Sequence, residues 1–155
     1  MAVQDEEIRM LLDASDRLIS SVSCDFKRYM AGRIDWQERM SCIKGPKGTG
    51  KTTLILQHIK ETFGVGSDKA VYFALDHIFF SDHKPIDVVD YFYTHGYTHL
   101  FIDEVHHVQD WSQLMKTVAD FYPGLTVVYS GSSILKLSAG QADLSRRQGV
   151  YELKG

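Results

Sequence analysis

Two patterns of apolar residues alternate along the 155-residue chain: short apolar runs, and longer segments with apolar residues at helical spacing. Five short runs are continuously or almost continuously apolar, which is typical of strands buried on both faces of a sheet. They cover residues 40–44, 70–75, 99–102, 125–129 and 149–153. The stretches between them carry apolar residues three and four positions apart and predict helices at 53–60, 85–96 and 111–122. The pattern predicts a three-layer α/β domain, with a parallel five-stranded sheet covered by helices on both faces.

The first 32 residues predict helices and no strand. Residues 4–20 fit an amphipathic helix with a break in the polar stretch 13–16, and a second short helix ends at Gly32. We therefore divide the chain into an N-terminal helical extension, residues 1–32, and a main domain, residues 33–155. The last predicted strand reaches almost to Gly155, so we expect the chain to be the N-terminal piece of a longer protein.

Composition narrows the class of protein. Apolar residues make up 44% and charged residues 24%, as in ordinary globular proteins, and the net charge of −3 gives no broad basic surface for nucleic acid. Cys24 and Cys42 form no disulfide or metal pattern. No apolar run approaches the ~20 residues of a membrane span, and the acidic N-terminus does not resemble a signal peptide. We expect a cytoplasmic protein without a membrane partner.

One stretch carries recognisable chemistry, because it fits the pattern G-x-x-x-x-G-K-[ST] between a predicted strand and a predicted helix. Glycines in such a loop let several backbone N–H groups point into one concavity, where the start of the helix adds positive charge. Lys51 is then placed to contact the β- and γ-phosphates, and the Thr52 hydroxyl to bind Mg²⁺. The sequence predicts a site for ATP or ADP with Mg²⁺. The predicted nucleotide-binding residues are Gly45, Pro46, Lys47, Gly48, Thr49, Gly50, Lys51, Thr52 and Thr53.

Two acidic residues follow the third predicted strand. In an open parallel sheet the ligand lies at the carboxyl ends of the strands, so Asp103 and Glu104 are expected to face the glycine-rich loop. Asp103 suits the surroundings of Mg²⁺, a hard cation that prefers oxygen. Glu104 suits the attacking water, as the base that orients it toward the γ-phosphorus. An acidic turn that caps the next helix is the alternative.

Hydroxyl groups and arginines near the C-terminus have two interpretations each. Ser130 and Ser132 follow a predicted strand, where a hydroxyl can sense the γ-phosphate, although serines there also cap helices. Arg146 and Arg147 are adjacent guanidinium groups before the last strand. Such pairs are usually solvated, but in phosphoryl transfer one arginine can stabilise charge on the transferring group, in its own subunit or a neighbour's.

Histidines cluster near acids, most visibly at His106 and His107 after Glu104. Their spacing matches no zinc signature and no cysteine lies in the region, which disfavours a transition-metal site.

Several motifs together resemble a prokaryotic group of predicted AAA+-type ATPases. The resemblance covers about residues 33–153 and rests on segments 45–52, 75–76, 101–105, 110–111, 129–133 and 143–147, in that order. It implies a first sensor at Ser130 or Ser132, an arginine finger at Arg146 or Arg147, and the sheet order 5-1-4-3-2. Members continue into a C-terminal winged-helix or nuclease-like region, so any DNA contact and the lid would lie beyond this chain.

Three other functions also fit parts of the pattern. A non-hydrolysing nucleotide switch would use nearly the same residues. A superfamily-two helicase fragment would share segments 48–52 and 103–106, but would usually show Ser-Ala-Thr where this chain has Ser130-Gly131-Ser132. A small-molecule kinase would need an acceptor pocket that the sequence does not reveal.

Overall fold

The computed structural model describes residues 3–26, 29–46, 50–132 and 149–153. In chain order, the helices and strands are α1 (Asp5–Ser21), β1 (Met40–Lys44), α2 (Lys51–Thr62), β2 (Ala70–Ala74), α3 (Pro85–Thr94), β3 (His99–Asp103), α4 (Trp111–Phe121), β4 (Thr126–Gly131) and β5 (Gly149–Glu152). Short 3-10 helices lie at Tyr29–Gly32, Ile78–Ser81 and Val105–His107. Strand β4 extends two residues beyond its predicted end, so Ser130 lies inside the strand and not after it.

The five strands form one sheet in the order β2-β3-β4-β1-β5, and every neighbouring pair is parallel. Read from the other edge, this is the predicted order 5-1-4-3-2, which is confirmed. Strand β1 lies between β4 and β5, so the glycine-rich segment that follows β1 begins at an inner strand and not at an edge of the sheet. The Gly45 amide donates to the Gly131 carbonyl at 3.3 Å and ties the start of that segment to the end of β4.

Each face of the sheet packs against its own helices. On one face, Ile43, Phe101 and Val128 contact the apolar side of α2. On the other face, Leu100, Ile102, Val127 and Tyr129 pack against α3 and α4. Side chains alternate between faces along a strand, so near-continuous apolar runs are required when both faces are covered. The predicted three-layer α/β architecture is confirmed.

Helix α1 crosses the outer edge of β2 and contributes to both layers. Ile8 and Leu11 belong to the cluster with α3 and α4, whereas Ile19 belongs to the cluster with α2. At the crossing, the buried Ser15 hydroxyl accepts a hydrogen bond from the Tyr72 amide at 3.1 Å. The polar stretch 13–16 is therefore the crossing point of one continuous helix, and the predicted break there is wrong.

The chain after α1 is tied to α2 by side chains of α2. Lys60 Nζ donates to the carbonyls of Ser20 and Val22, at 3.2 and 2.7 Å. The buried Gln57 amide donates to the carbonyls of Ser23 and Phe26. The two Lys60 bonds satisfy carbonyl groups that the end of α1 leaves without a helical partner. The extension thus packs directly on the main domain, while the division at residue 32 remains a prediction.

We expect Ser15→Ala to lower the free energy of unfolding by about 1–3 kcal/mol, because it leaves the buried Tyr72 amide without its acceptor. Ser21→Ala is the matched control, since the Ser21 hydroxyl bonds only the exposed Leu18 carbonyl of the same helix. Its effect should stay within about 0.5 kcal/mol. Urea unfolding of both variants measures the difference, and equal losses would contradict the role of Ser15 at the sheet edge.

Candidate functional site

The Asp103 carboxylate lies at the carboxyl end of β3 and accepts hydrogen bonds from three other elements. Thr52 Oγ1 of α2 donates to Oδ2 at 2.5 Å, and the Tyr72 hydroxyl of β2 donates to the same oxygen at 2.6 Å. The Ser130 hydroxyl of β4 donates to Oδ1, which also accepts the Glu104 amide at 3.0 Å. Asp103 is only 1% exposed, so these donors replace the water that a buried carboxylate loses.

The alternation of side chains along parallel strands explains why these groups meet. Tyr72 of β2 is in register with Phe101 of β3, which in turn is in register with Val128 of β4, and all three face α2. Two residues further along, Asp103 and Ser130 point to the same face. The first turn of α2 covers this end of the sheet, so the Thr52 side chain contacts the carboxylate from the face that α2 covers.

Burial and the neighbouring Asp103 raise the pKa of the Tyr72 phenol well above its usual range. Both causes penalise the phenolate, so the hydroxyl keeps its proton and remains a donor to the carboxylate. Sequence analysis missed this residue. A tyrosine in an apolar strand carries no motif, and only the register of β2 against β3 brings its hydroxyl to Asp103.

The start of α2 brings the predicted lysine close to the glycine-rich segment. Gly50 precedes the helix with φ of 87° and ψ of 17°, a left-handed conformation that glycine adopts without a steric penalty. Lys51 is buried, and its Nζ donates to the carbonyls of Gly45 and Pro46 at 2.8 and 3.3 Å. The predicted residues Lys47, Gly48 and Thr49 lie outside the described ranges. Thr53 follows in α2 and is exposed.

Glu104 continues directly from Asp103 but turns away from the strand direction. It has φ of 57° and ψ of 40°, and is the one non-glycine residue with positive φ in the part of the chain that the structure describes. This conformation costs a non-glycine residue roughly 1–2 kcal/mol. It directs the carboxylate toward two histidines: Oε2 lies 3.3 Å from His106 Nε2 and 3.7 Å from His107 Nε2. The ligand-type atoms of these three residues lie within 4.8 Å of one another.

The two candidate sensor serines differ in their contacts. The Ser130 side chain is buried and bonded to Asp103, whereas Ser132 follows the end of β4 and is partly buried. The Ser132 amide donates to His106 Nδ1 at 3.1 Å, a contact between residues 26 positions apart that sequence patterns do not reveal. The predicted arginine finger, Arg146 or Arg147, lies outside the described residues.

A cavity of about 280 Å³ opens along α2, beyond its first turn. It is lined by Ala31, Gly32, Trp36, Leu54, Gln57, His58 and Glu61. The rings of Trp36 and His58 stack here, with centroids 3.9 Å apart. Burial lowers the pKa of His58 to about 4, so the imidazole is neutral near pH 7.

In the described part of the chain, no helix is both long enough and apolar enough to cross a bilayer.

A family model described as an AAA domain matches residues 37–155, which is most of the chain. The chain belongs to the AAA domain family. Its fold is that of a P-loop ATPase domain, and the resemblance to AAA+ ATPases is confirmed at this level. The prokaryotic subgroup and a following C-terminal region remain predictions.

Among solved structures, the chain is similar to one described as the structure of C. elegans PCH-2, with 16% sequence identity and a TM-score of 0.47. The match covers 99% of this chain and 44% of that chain. A search of curated proteins finds no match to the sequence.

We expect Tyr72→Phe to destabilise this AAA domain by about 1–3 kcal/mol, because the buried Asp103 carboxylate loses a donor. Tyr91→Phe removes a hydroxyl that is bonded to the exposed Asp5 carboxylate, and should cost less than about 1 kcal/mol. Urea unfolding compares the two variants. Equal losses would mean that the Tyr72 hydroxyl contributes no more than a surface contact.

Proposed function

We propose that this AAA domain binds ATP with Mg²⁺ and hydrolyses it in the full-length protein. The observation that carries the proposal is the 2.5 Å hydrogen bond between Thr52 and Asp103. It brings the end of the predicted phosphate loop and the acid after β3 together, although 51 positions separate them in sequence. A hydroxyl and a carboxylate oxygen side by side form the donor set that Mg²⁺ prefers.

The predicted nucleotide-binding residues would cradle the phosphates from Gly45 to Thr53. Lys51 Nζ is held at the loop by two carbonyl groups. An ammonium group at this place can exchange these carbonyls for phosphate oxygens, with which it interacts more strongly because they are charged. The start of α2 adds unpaired backbone N–H groups and the positive end of its dipole.

Thr52 and Asp103 would hold Mg²⁺, with Thr52 as the direct ligand. When bound, the ion would supply positive charge that offsets the negative charge of the phosphates in the transition state. Tyr72 and Ser130 keep the Asp103 carboxylate in place through their hydroxyl groups. Because Ser130 is committed to Asp103, Ser132 is the better candidate for the sensor that contacts the γ-phosphate.

Glu104 would act as the base that accepts a proton from the attacking water. It follows Asp103 directly, so the base and the metal-binding carboxylate are fixed by the same strand end. In such a reaction the protein mainly positions groups and stabilises charge. The water oxygen bonds to the γ-phosphorus and gives its proton to Glu104, while the bond from the γ-phosphorus to the β-phosphate oxygen breaks and ADP leaves.

Arg146 or Arg147 would supply the arginine finger, acting on the site of a neighbouring subunit. This arrangement implies self-association of the full-length protein and weak or absent hydrolysis by the isolated domain.

We further propose that the protein is prokaryotic and couples ATP turnover to a C-terminal effector region, with any DNA contact made there. If the full-length protein binds ATP but never turns it over, the domain is a nucleotide-dependent switch instead.

We expect Lys51→Ala to weaken ATP and ADP binding by about 10- to 100-fold, as hydrogen bonds to charged groups contribute about 1.5–3 kcal/mol. Calorimetric titration measures the affinity. Lys69→Ala is the control, because Lys69 precedes β2 at the opposite end of the sheet and its loss should leave binding unchanged. Equal affinity in the wild type and Lys51→Ala would contradict the phosphate-binding role of the loop.

We expect mixed subunits to reveal whether the arginine pair acts between subunits. Glu104→Gln and Arg146→Ala/Arg147→Ala proteins should each be nearly inactive, since a missing finger costs roughly three to five decades of rate. Their mixture should regain turnover, because one supplies an intact finger and the other an intact base. A mixture of Glu104→Gln with Lys51→Ala is the matched control and should stay inactive. If the first mixture also stays inactive, the arginines do not act in trans.

A further inference from the structure

The contacts of His106 are not explained by the proposed roles of its neighbours. This residue lies in the short 3-10 helix after Glu104, and its two ring nitrogens face different partners. Nε2 lies 3.3 Å from the Glu104 carboxylate, and Nδ1 accepts a hydrogen bond from the Ser132 amide at 3.1 Å. The imidazole therefore stands between the carboxylate after β3 and the backbone after β4.

The Ser132 contact determines the tautomer of this imidazole. A backbone amide can only donate, so Nδ1 must offer its lone pair. A neutral imidazole with an unprotonated Nδ1 carries its proton on Nε2. That N–H group is a donor, and its nitrogen lies 3.3 Å from Oε2 of Glu104. The two contacts thus agree: a donor faces His106 on one side, and His106 presents a donor on the other.

A metal ion held by Glu104, His106 and His107 is the competing interpretation of this cluster. A metal would need the lone pair of His106 Nε2, the atom that carries the proton in the tautomer fixed by Ser132. Metal-binding histidines usually donate their second N–H to an acceptor, whereas here the second nitrogen meets a donor. The geometry therefore favours an imidazole that bridges the Ser132 amide and the Glu104 carboxylate over a metal site.

We propose that His106 is a positioning residue that links the backbone at Ser132 to the orientation of the Glu104 carboxylate. The proposal rests on the assignment of Glu104 as the base for water. With Oε2 held toward His106, the second oxygen of Glu104 is the one that accepts the proton from water. Movement of the Ser132 backbone, whose side chain is proposed to contact the γ-phosphate, is passed through the imidazole to the base. The base is thus aligned according to the position of the sensor.

The predicted kinetic effect separates positioning from binding. In the full-length protein, His106→Ala should lower kcat for ATP about 10- to 100-fold, because misplacing a base by about 1 Å costs up to that factor. The KM and the ATP affinity should stay within about twofold, since His106 accepts from the backbone amide of Ser132 and not from the hydroxyl that is proposed to contact the γ-phosphate. A parallel loss of affinity and rate would overturn the positioning role.

Conservative variants test whether both nitrogens are needed. His106→Asn can accept the Ser132 amide near the Nδ1 position but has no group at the Nε2 position. His106→Gln can reach toward Glu104 but leaves the Ser132 amide without its acceptor. The proposed link requires both contacts, so both variants should be slow. If His106→Gln restores wild-type kcat, His106 only orients Glu104 and the link to Ser132 is wrong.

A measurement without turnover tests the link itself. Nuclear magnetic resonance of protein with ¹⁵N-labelled histidine should show His106 with its proton on Nε2. Ser132→Ala keeps the backbone donor and should keep this tautomer, whereas Ser132→Pro removes the donor and should change it. A proton on Nδ1 in the wild type, or no difference between the two variants, would overturn the link.

Two further results distinguish the remaining explanations. Calorimetric titration with Zn²⁺ should show no tight binding that His106→Ala abolishes, and finding such binding would replace the link with a metal site. If the wild-type full-length protein shows no ATP turnover, the proposed hydrolysis fails. The tautomer measurement then decides by itself whether the Ser132 backbone and His106 are linked.

Discussion

The structure of this site depends on one buried carboxylate that must be supplied with hydrogen-bond donors. Asp103 receives them from α2, β2 and β4. Removing a carboxylate from water is costly unless such donors replace the water. The need to satisfy this one group therefore constrains the register of three strands and the position of the first turn of α2. The packing of the fold and the arrangement of the proposed metal site have the same cause.

The residues after Asp103 connect this buried carboxylate to the groups proposed to hydrolyse ATP. The strand ends at Asp103, and the left-handed conformation of Glu104 turns the next carboxylate out of the sheet and toward His106. The end of β4 returns to the same imidazole through the Ser132 amide. The groups assigned to metal binding, water activation and sensing thus lie on adjacent strand ends. An AAA domain can couple them over short distances because β3 and β4 are neighbours in its sheet.

The strands and the main chemical groups could be predicted from the residues, because their signals are local, whereas the sheet order followed from the resemblance to AAA+-type ATPases. The strand at 40–44, the glycine-rich segment and the acids after β3 each occupy consecutive residues. The Tyr72 hydroxyl at Asp103 and the contact of His106 with Ser132 could not be found in this way, since they join residues 31 and 26 positions apart. The break predicted in α1 was wrong for a related reason. The polar Ser15 indicated a break in the helix, whereas its hydroxyl accepts a hydrogen bond from the edge of β2. The predicted roles of the loop residues and arginines await direct tests.

The central claim is that Asp103, together with Thr52, turns the phosphate loop into a site for Mg²⁺ and nucleotide. Calorimetric titration of ATP with and without Mg²⁺, in the wild type and in Asp103→Asn, tests it most directly. We expect Mg²⁺ to tighten ATP binding in the wild type and to have little effect in the variant. Metal-free ADP should bind both proteins equally, which shows that the variant is folded. An undiminished effect of Mg²⁺ in Asp103→Asn would contradict the account.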